Sequence, residues 1–396
     1  MQKHLTFFIA LFISFSSLAQ VNLDSLWNVW NDKTQADTSR LKAMQKIAWN
    51  GYLYSQPDSA FHFAQMQYDL AESINNKIQM ANALNTQGVS FYLKGDYGKA
   101  IDYYTKSLKI QEEIGDKNGI AKSLGNIGVI YTDQDDYGKA IDYYTKSLKI
   151  FEEIGNKSGI AISLMNIGLI YDYQGNYAKA IDYYTKSLEI SEEIGNKRLI
   201  ANSIKKIGGI YYDQRDYVKA IDYYTKSLKI MGETGNKNGI SSSLINIGII
   251  YWRQGDLAKA IDYFTRSLKI SEEIGNKRLI ANSITKIGSI YSDQGDYAKA
   301  IDYYTKSLKI KKEIGDKEGI GVSLNNIGGI YFLEGEYHKS LEKNTKALSI
   351  AQEVGNVQQI KYASESLWET YKKLRKHRQA LEMHELYIQM RDSILS

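Results

Sequence analysis

Few of the residues in this chain that could do chemistry stand at a spacing chemistry would use. The histidines are His4, His62, His338, His377 and His384. The closest pair, His377 and His384, lies seven residues apart in a stretch rich in lysine and arginine, and no set has the spacing of metal ligands. Cysteine is absent, so neither a disulfide nor a lipid held through cysteine is available. Acidic pairs such as Glu112-Glu113 and Glu152-Glu153 have the composition of an acid/base couple, but they recur, and a group copied along the chain reads as a solvated face. No GxxxxGK[ST] loop, GxGxxG turn or nucleophile elbow occurs. The expectation is no enzyme, with no catalytic residue, cofactor or metal. What remains is binding chemistry. Asn126, Asn166, Asn246 and Asn326 form a row of amides that can both donate and accept, and Lys206 and Lys286 replace the amide in two of its places.

The elements that position these groups are set by repetition. The string KAIDYYTKSLKI occurs at 99–110, 139–150, 219–230 and 299–310, with near copies at 179–190 and 259–270, a period of 40 residues. Such a period means a stack of supersecondary units, each burying its apolar face against its neighbours. Within one copy, Ile120, Leu124, Ile127 and Tyr131 make one apolar stripe of an amphipathic helix. Ala140, Ile141, Tyr144, Leu148, Phe151 and Ile154 make a second, longer one. Asp136 suits the N-cap of that second helix, and Gly155 suits the left-handed position that ends it. Glycine also recurs in mid-helix, at Gly88, Gly128, Gly168, Gly208, Gly248, Gly288 and Gly328. There it costs about 1 kcal/mol relative to alanine, so a close approach of the partner helix is expected, with the alanine or aromatic of that helix received by the glycine. Paired tyrosines such as Tyr103-Tyr104 and Tyr143-Tyr144 are read as packing residues first.

Leu124, Ile127, Gly128, Tyr131, Tyr137, Ala140, Tyr144 and Ser147 together resemble the tetratricopeptide repeat signature, with serine where that family carries its last small alanine. The proline usual after the second helix is missing, and six extra residues, as in EEIGNK, lengthen the unit to 40. This is similar to the longer variety found in kinesin light chains and in bacterial sensor and regulator proteins. The resemblance implies an all-α fold, a right-handed superhelical solenoid of helix-turn-helix units. About nine units are expected over 38–396, the first and the last two degenerate, after a short leading helix at 20–37.

The sister copies can be compared with each other. Second helices barely change, even at positions expected to face water such as Asp102 and Lys106, whereas first helices differ sharply at five positions. Counting from Ala121, the fifth position includes Met165 and Lys205, the twelfth Tyr212, Trp252 and Phe332, and the thirteenth Tyr173 and Arg253. The resemblance implies that first helices line a concave groove, and drift alone would have scrambled exposed second-helix positions too. The expected function is therefore binding of a protein or peptide partner in that groove. Asn126, Asn166, Asn246 and Asn326 occupy the sixth position; in related proteins such a row holds the backbone of an extended peptide, while the other reading is that these amides cap or bridge neighbouring helices. Lys206 and Lys286, near Tyr212 and Trp252, suit an acidic and partly apolar partner.

Net charge is +5 with no basic block, so no nucleic-acid footprint is present. At the start, Lys3 precedes the apolar run Leu5 to Phe15, and Ser17 and Ala19 put small residues at −3 and −1 before Gln20. This is the order of a signal peptide, residues 1–19, so an exported chain, periplasmic or secreted and with no membrane span once mature, is expected; an uncleaved anchor is the other reading. The opening (LDSLWNVWNDKTQAD) and the ending (QALEMHELYIQMRDSIL) resemble periplasmic repeat regions of bacterial histidine kinases and regulators. A free-standing sensory module is thus the rival function, and capture of a glycan or small ligand a third.

Overall fold

Each 40-residue copy folds as two antiparallel-connected helices of equal length, in a computed structural model that describes residues 22–395. The expected signal segment, residues 1–19, lies outside the described residues. Helix α1 (Leu23–Asn31) falls in the expected leading segment and is followed by α2 (Asp37–Lys46), a π-helical turn at Ile47–Tyr52 and α3 (Pro57–Ser73). A regular series then begins: α4 (Lys77–Leu93), α5 (Tyr97–Glu113), α6 (Lys117–Asp133), α7 (Tyr137–Glu153), α8 (Lys157–Tyr173), α9 (Tyr177–Glu193) and α10 (Lys197–Asp213). It continues through α11 (Tyr217–Glu233), α12 (Lys237–Arg253), α13 (Leu257–Glu273), α14 (Lys277–Asp293), α15 (Tyr297–Glu313), α16 (Lys317–Leu333), α17 (Tyr337–Glu353) and α18 (Val357–Lys373) to α19 (His377–Leu395). No strand occurs among the described residues. The chain is therefore all-α, a solenoid of helix pairs.

The turns follow from local chemistry. Asp136 accepts the Lys139 amide at the start of α7, and Gly155, at φ +66°, ends that helix in the left-handed region. Asn156 then caps α8 by accepting the Gly159 amide. The residues that lengthen each unit also carry an ion pair between copies. Lys77–Glu113, Lys117–Glu153, Lys237–Glu273 and Lys277–Glu313 are 3.0–3.2 Å apart and half exposed, so each contributes about 0–1 kcal/mol.

Helix pairs meet through aromatic rings laid on glycine. A methyl group added at Gly88 would stand 2.6 Å from the Tyr104 ring, at Gly128 2.8 Å from Tyr144, and at Gly248 2.7 Å from Phe264. At these positions the glycine receives the aromatic of its partner helix, as the sequence implied, whereas Gly328 meets the side-chain amide of Asn344, which stands where those copies carry the ring. Near the end the sizes reverse: Trp368 takes the glycine place and packs on His384 at 4.2 Å. The preceding tyrosine of each pair stacks instead on the first helix, as Tyr143 does on Tyr131 at 5.4 Å and Tyr303 on Tyr291 at 5.5 Å. The buried serine that replaces the family's alanine spends its hydroxyl on backbone: Ser147 Oγ donates to the Ala121 carbonyl at 2.7 Å, and Ser187 to that of Ala161 at 2.8 Å.

A second size rule operates across the turn between copies. Where the last turn of a second helix carries Phe151 or Met231, glycine follows eight residues later and lies against it, at Gly159 and Gly239. Where it carries Ser191 or Ser271, leucine follows, at Leu199 and Leu279. The sum of the two volumes stays roughly constant, as close packing requires.

By contact density the chain divides into two compact bodies, one ending at Ile210 and the other beginning at Tyr211. In the first, Tyr104, Ile127, Val129, Ile130, Tyr144 and Ile170 belong to one continuous core. In the second, cores recur copy by copy around Tyr224, Phe264 and Tyr304, with a final one around Leu348 and Leu367.

Candidate functional site

In the first body the variable first-helix positions are largely closed. Asn126 is 4% exposed, Asn166 2% and Met165 4%. The Asn126 amide donates to Asn85 Oδ1 at 2.9 Å, bridging α6 to α4. These three residues, expected to line a partner site, are internal here: Gly125, Val129, Leu169 and Thr132 around them are buried as well. For Asn126 the bridging alternative describes the contact that is made.

The acidic groups of this face are held in the same crowded surroundings. The Tyr92 hydroxyl donates to Asp133 Oδ2 at 2.9 Å, yet burial, with Asp135 nearby, pushes the Asp133 carboxyl up to about 6. Burial also raises Asp172, against the lowering effect of Lys206. Tyr173 is pushed up to about 12 by burial and by Asp133 and Asp172, and its ring lies 6.1 Å from Tyr137. Lys205 falls to about 8 through burial and its neighbour Lys206, and Lys206 is itself lowered by burial, offset by Asp172. The first-body lysines are thus half-buried charges, and Lys206 faces an internal carboxylate.

In the second body, helices α12, α14 and α16 leave the same positions partly open. Trp252, at the end of α12, is half-buried, and its indole N–H donates to Asp293 Oδ2 of α14 at 2.6 Å. Lys286 Nζ lies 5.7 Å from the centre of the Trp252 ring, within cation–π range. Burial, with the Arg253 guanidinium beside it, lowers the Lys286 ammonium. Arg253 is exposed. The structure therefore brings four groups together: Trp252, Arg253, Lys286 and Asp293. Of these Asp293 was not among the expected site residues, although it is the one that fixes the indole. Asn246 and Asn326 are half-buried, and so is Phe332, whose ring packs 5.6 Å from Tyr337. Beside it Leu333 is 60% exposed, an apolar side chain presented to solvent next to an aromatic one. Tyr212 lies 5.9 Å from Tyr217, a packing contact within the second body.

Chemically the second-body face can hold a flat or apolar group on a fixed indole and neutralise carboxylates with Lys286 and Arg253. Among the described residues no group of three or more His, Asp or Glu side chains is placed to hold a metal ion, and no helix is long and apolar enough to cross a membrane.

The sequence profile described as tetratricopeptide repeat matches residues 79–153, 119–193, 159–233, 198–273, 239–313 and 279–353, overlapping windows that run through most of the chain. No curated protein matches. Solved structures of similar fold include a signal transduction ATPase with a tetratricopeptide repeat sensor from Pyrococcus horikoshii, at 16% identity and TM-score 0.61, over 92% of this chain and 55% of that one. Aspartyl phosphate phosphatase F from Bacillus subtilis is similar at 14% identity and TM-score 0.58, over 95% of both chains. A Rap protein complexed with competence and sporulation factor is similar at 17% identity and TM-score 0.55, over 91% of this chain and 98% of that one. At such identities the likeness is one of fold.

Proposed function

This chain belongs to the tetratricopeptide repeat family, and from that premise we propose that it is a protein–protein interaction scaffold whose second body holds an acidic, partly apolar segment of a partner along α12, α14 and α16. The observation that carries the reading is Trp252. A half-buried indole tied to Asp293 and flanked by Lys286 presents a rigid apolar face beside cations, the composition typical of an interface anchor. Asn246 and Asn326 supply amides for the backbone of an extended segment, and Phe332 with Leu333 supplies a second apolar contact two copies further on. Because Lys286 is partly desolvated, a carboxylate arriving there interacts with it more strongly than it would in open water. That a Rap protein of similar fold was solved in complex with competence and sporulation factor supports partner binding as the use of the fold.

Export belongs to the same reading, on the signal-peptide order of residues 1–19. The chain then works as a periplasmic or secreted scaffold without catalysis of its own. A sensory role is the second reading, supported by the similarity of nearly the whole chain to a tetratricopeptide repeat sensor within a larger ATPase.

The test uses a photo-crosslinking residue placed at Asn246 or Phe332 in the cell envelope, with Asn126 as the matched position in the first body. A partner captured from the second body, and lost when Trp252→Ala and Lys286→Glu are added, supports the proposal. Capture that survives both substitutions, or that occurs equally from position 126, overturns it. Sequencing the N-terminus of the protein recovered from the envelope tests export separately.

A further inference from the structure

A cavity of about 350 Å³ opens in the second body between α15, α16 and α17, away from the Trp252 cluster. Its floor is apolar, made by Leu308, Ile320, Leu324 and Ile350, and its rim carries Lys312, Lys343 and Lys346. At roughly 300–1,000 Å³ for ligand sites in general, this is the size of a small-molecule site.

The sister copies show what is particular to it. The equivalent floor one copy earlier is Leu268, Ile280, Ile284 and Ile310, which is chemically the same. The rim is not. Lys312 stands where five other copies carry glutamate, as at Glu272; Lys343 stands where six carry tyrosine, as at Tyr303; and Ser349, also lining the cavity, stands where most carry lysine, as at Lys309. In the earlier copy the Tyr303 ring stacks on Tyr291 and shares one packed cluster with Leu268. Lys343 puts an alkylammonium where that ring stands, and Ser349 is shorter than the lysine it replaces. Three changes at one place uncover an apolar surface and reverse the charge beside it; Lys312 is a departure within the regular series, whereas Lys343 and Ser349 belong to α17, which also differs from its sisters at Ser340, Asn344 and Ala347.

Three lysines line the cavity. Lys343 and Lys346 share the Glu342 carboxylate, at 3.3 and 2.9 Å. Lys312 adds a cation where a carboxylate stands elsewhere, which leaves the rim with more positive than negative charge. An apolar floor under a cationic rim is complementary to a ligand with an aliphatic body and one anionic end.

We propose that this cavity binds a small amphiphilic carboxylate, its alkyl chain on Leu308, Ile320, Leu324 and Ile350 and its carboxylate between Lys312 and Lys343. The site shares α16 with the partner face but uses none of the same residues there.

Decanoate is the probe, titrated into the full chain by calorimetry and followed by chemical shifts of methyl-labelled isoleucine. Saturable 1:1 binding is expected, with shifts at Ile320 and Ile350 and at least tenfold weaker binding to Lys312→Glu. Decanol and decyltrimethylammonium, which share the chain but not the anion, are expected to bind at least tenfold more weakly. The triple variant Lys312→Glu/Lys343→Tyr/Ser349→Lys restores the residues of the sister copies and is expected to fold with no loss of melting temperature and to lose decanoate binding. If that variant does not fold, the exposed Lys312→Gln decides alone. Trp252→Ala is expected to leave decanoate affinity unchanged, so failure here and failure of the partner face are separable. Absence of saturable binding overturns the proposal; so does decanol binding as tightly as decanoate, and so does full affinity in the triple variant or in Lys312→Gln.

Discussion

The first helices of the two bodies carry the same slots and use them differently. At the fifth and sixth positions α6 and α8 of the first body hold Gly125 and Asn126, then Met165 and Asn166, all buried; α14 and α16 of the second hold Thr285 and Lys286, then Asn325 and Asn326, all partly open. Helix α10, with Lys205 and Lys206 partly open, and α12, with Ile245 buried and Asn246 partly open, fall between. Size explains much of this. Val129 and Leu169 fill the ninth position of α6 and α8, whereas Ser289 and Gly329 leave it open in α14 and α16. Variation between copies therefore has two causes. In α6 and α8 the varied residues complete a core; in α14 and α16 they make a surface.

If the scaffold beneath is truly the same, it breaks the same way in both bodies, and this is where the largest effect is expected. Gly128→Leu drives a side chain into Tyr144, and Gly248→Leu into Phe264. Each should cost about 3 kcal/mol or more through overpacking, read by urea unfolding. Unequal costs would mean that the shared glycine contact supports the two bodies differently. The size rule across the turn gives a sharper version: Gly159→Leu alone should destabilise by about 2 kcal/mol, and Phe151→Ser in the same chain should restore most of it, because Ser191 and Leu199 already pair that way. Additive losses would refute the rule.

The slot of Phe151 in the first body holds Lys311 in the second, 4% exposed, with its ammonium donating to Thr285 Oγ1 at 3.3 Å and Ser323 Oγ at 3.1 Å. Burial lowers this lysine from 10.5 to about 8, with Asp316 opposing and Lys286 adding to the effect. A folded value below the unfolded one means that charge at this site opposes folding. The cost is full below about pH 8, shrinks as pH rises, and is gone above the unfolded value of 10.5. Lys311→Met, which copies Met231 and keeps Gly319 beside it, should raise stability by about 2 kcal/mol at pH 7, with the gain vanishing near pH 10.5. A gain that does not change with pH would show that packing, not charge, is responsible.

Binding tests the comparison from the other side. Trp252→Ala should weaken the partner by about 30-fold, the scale of an interface anchor, while costing little stability. Asn126→Ala should do the reverse, removing the bridge to Asn85 at about 1 kcal/mol of stability without touching affinity. Matched effects on affinity would erase the distinction between the two faces.

Much of the fold could be read from sequence because a period of 40 residues repeats every signal several times. The caps at Asp136 and Gly155 and the glycine–ring contacts at Gly88, Gly128 and Gly248 needed only local rules. Three features did not yield to those rules. Whether Asn126 or Asn246 is open depends on side chains supplied by neighbouring copies, which no single helix encodes. The pairing of Phe151 with Gly159 spans a turn, so it belongs to neither amphipathic stripe, although its trace in the sister copies is visible once sought. The cavity under Lys312 and Lys343 sits in second helices, whose near-constancy reads as scaffold, and the departures from that constancy were the signal.

The smallest effect concerns one slot used twice. The thirteenth position is Asp133 in the first body and Asp293 in the second, each accepting from an aromatic residue of the preceding first helix, Tyr92 or Trp252. Asp133 is raised to about 6 by burial, so its ionised form opposes folding. That cost is absent below the ordinary value of 3.8, grows as pH rises towards about 6, and is full above it. Asp133→Asn should therefore flatten the fall in stability between those limits, a difference of order 1 kcal/mol given its partial exposure, measured as urea midpoints from pH 4 to 7. Partner affinity should not move. Asp293→Ala should weaken the partner a few-fold, because the indole of Trp252 loses the carboxylate that orients it. One slot then answers to pH in the first body and to the partner in the second; if both substitutions changed the same observable, the two faces would be one kind of surface after all.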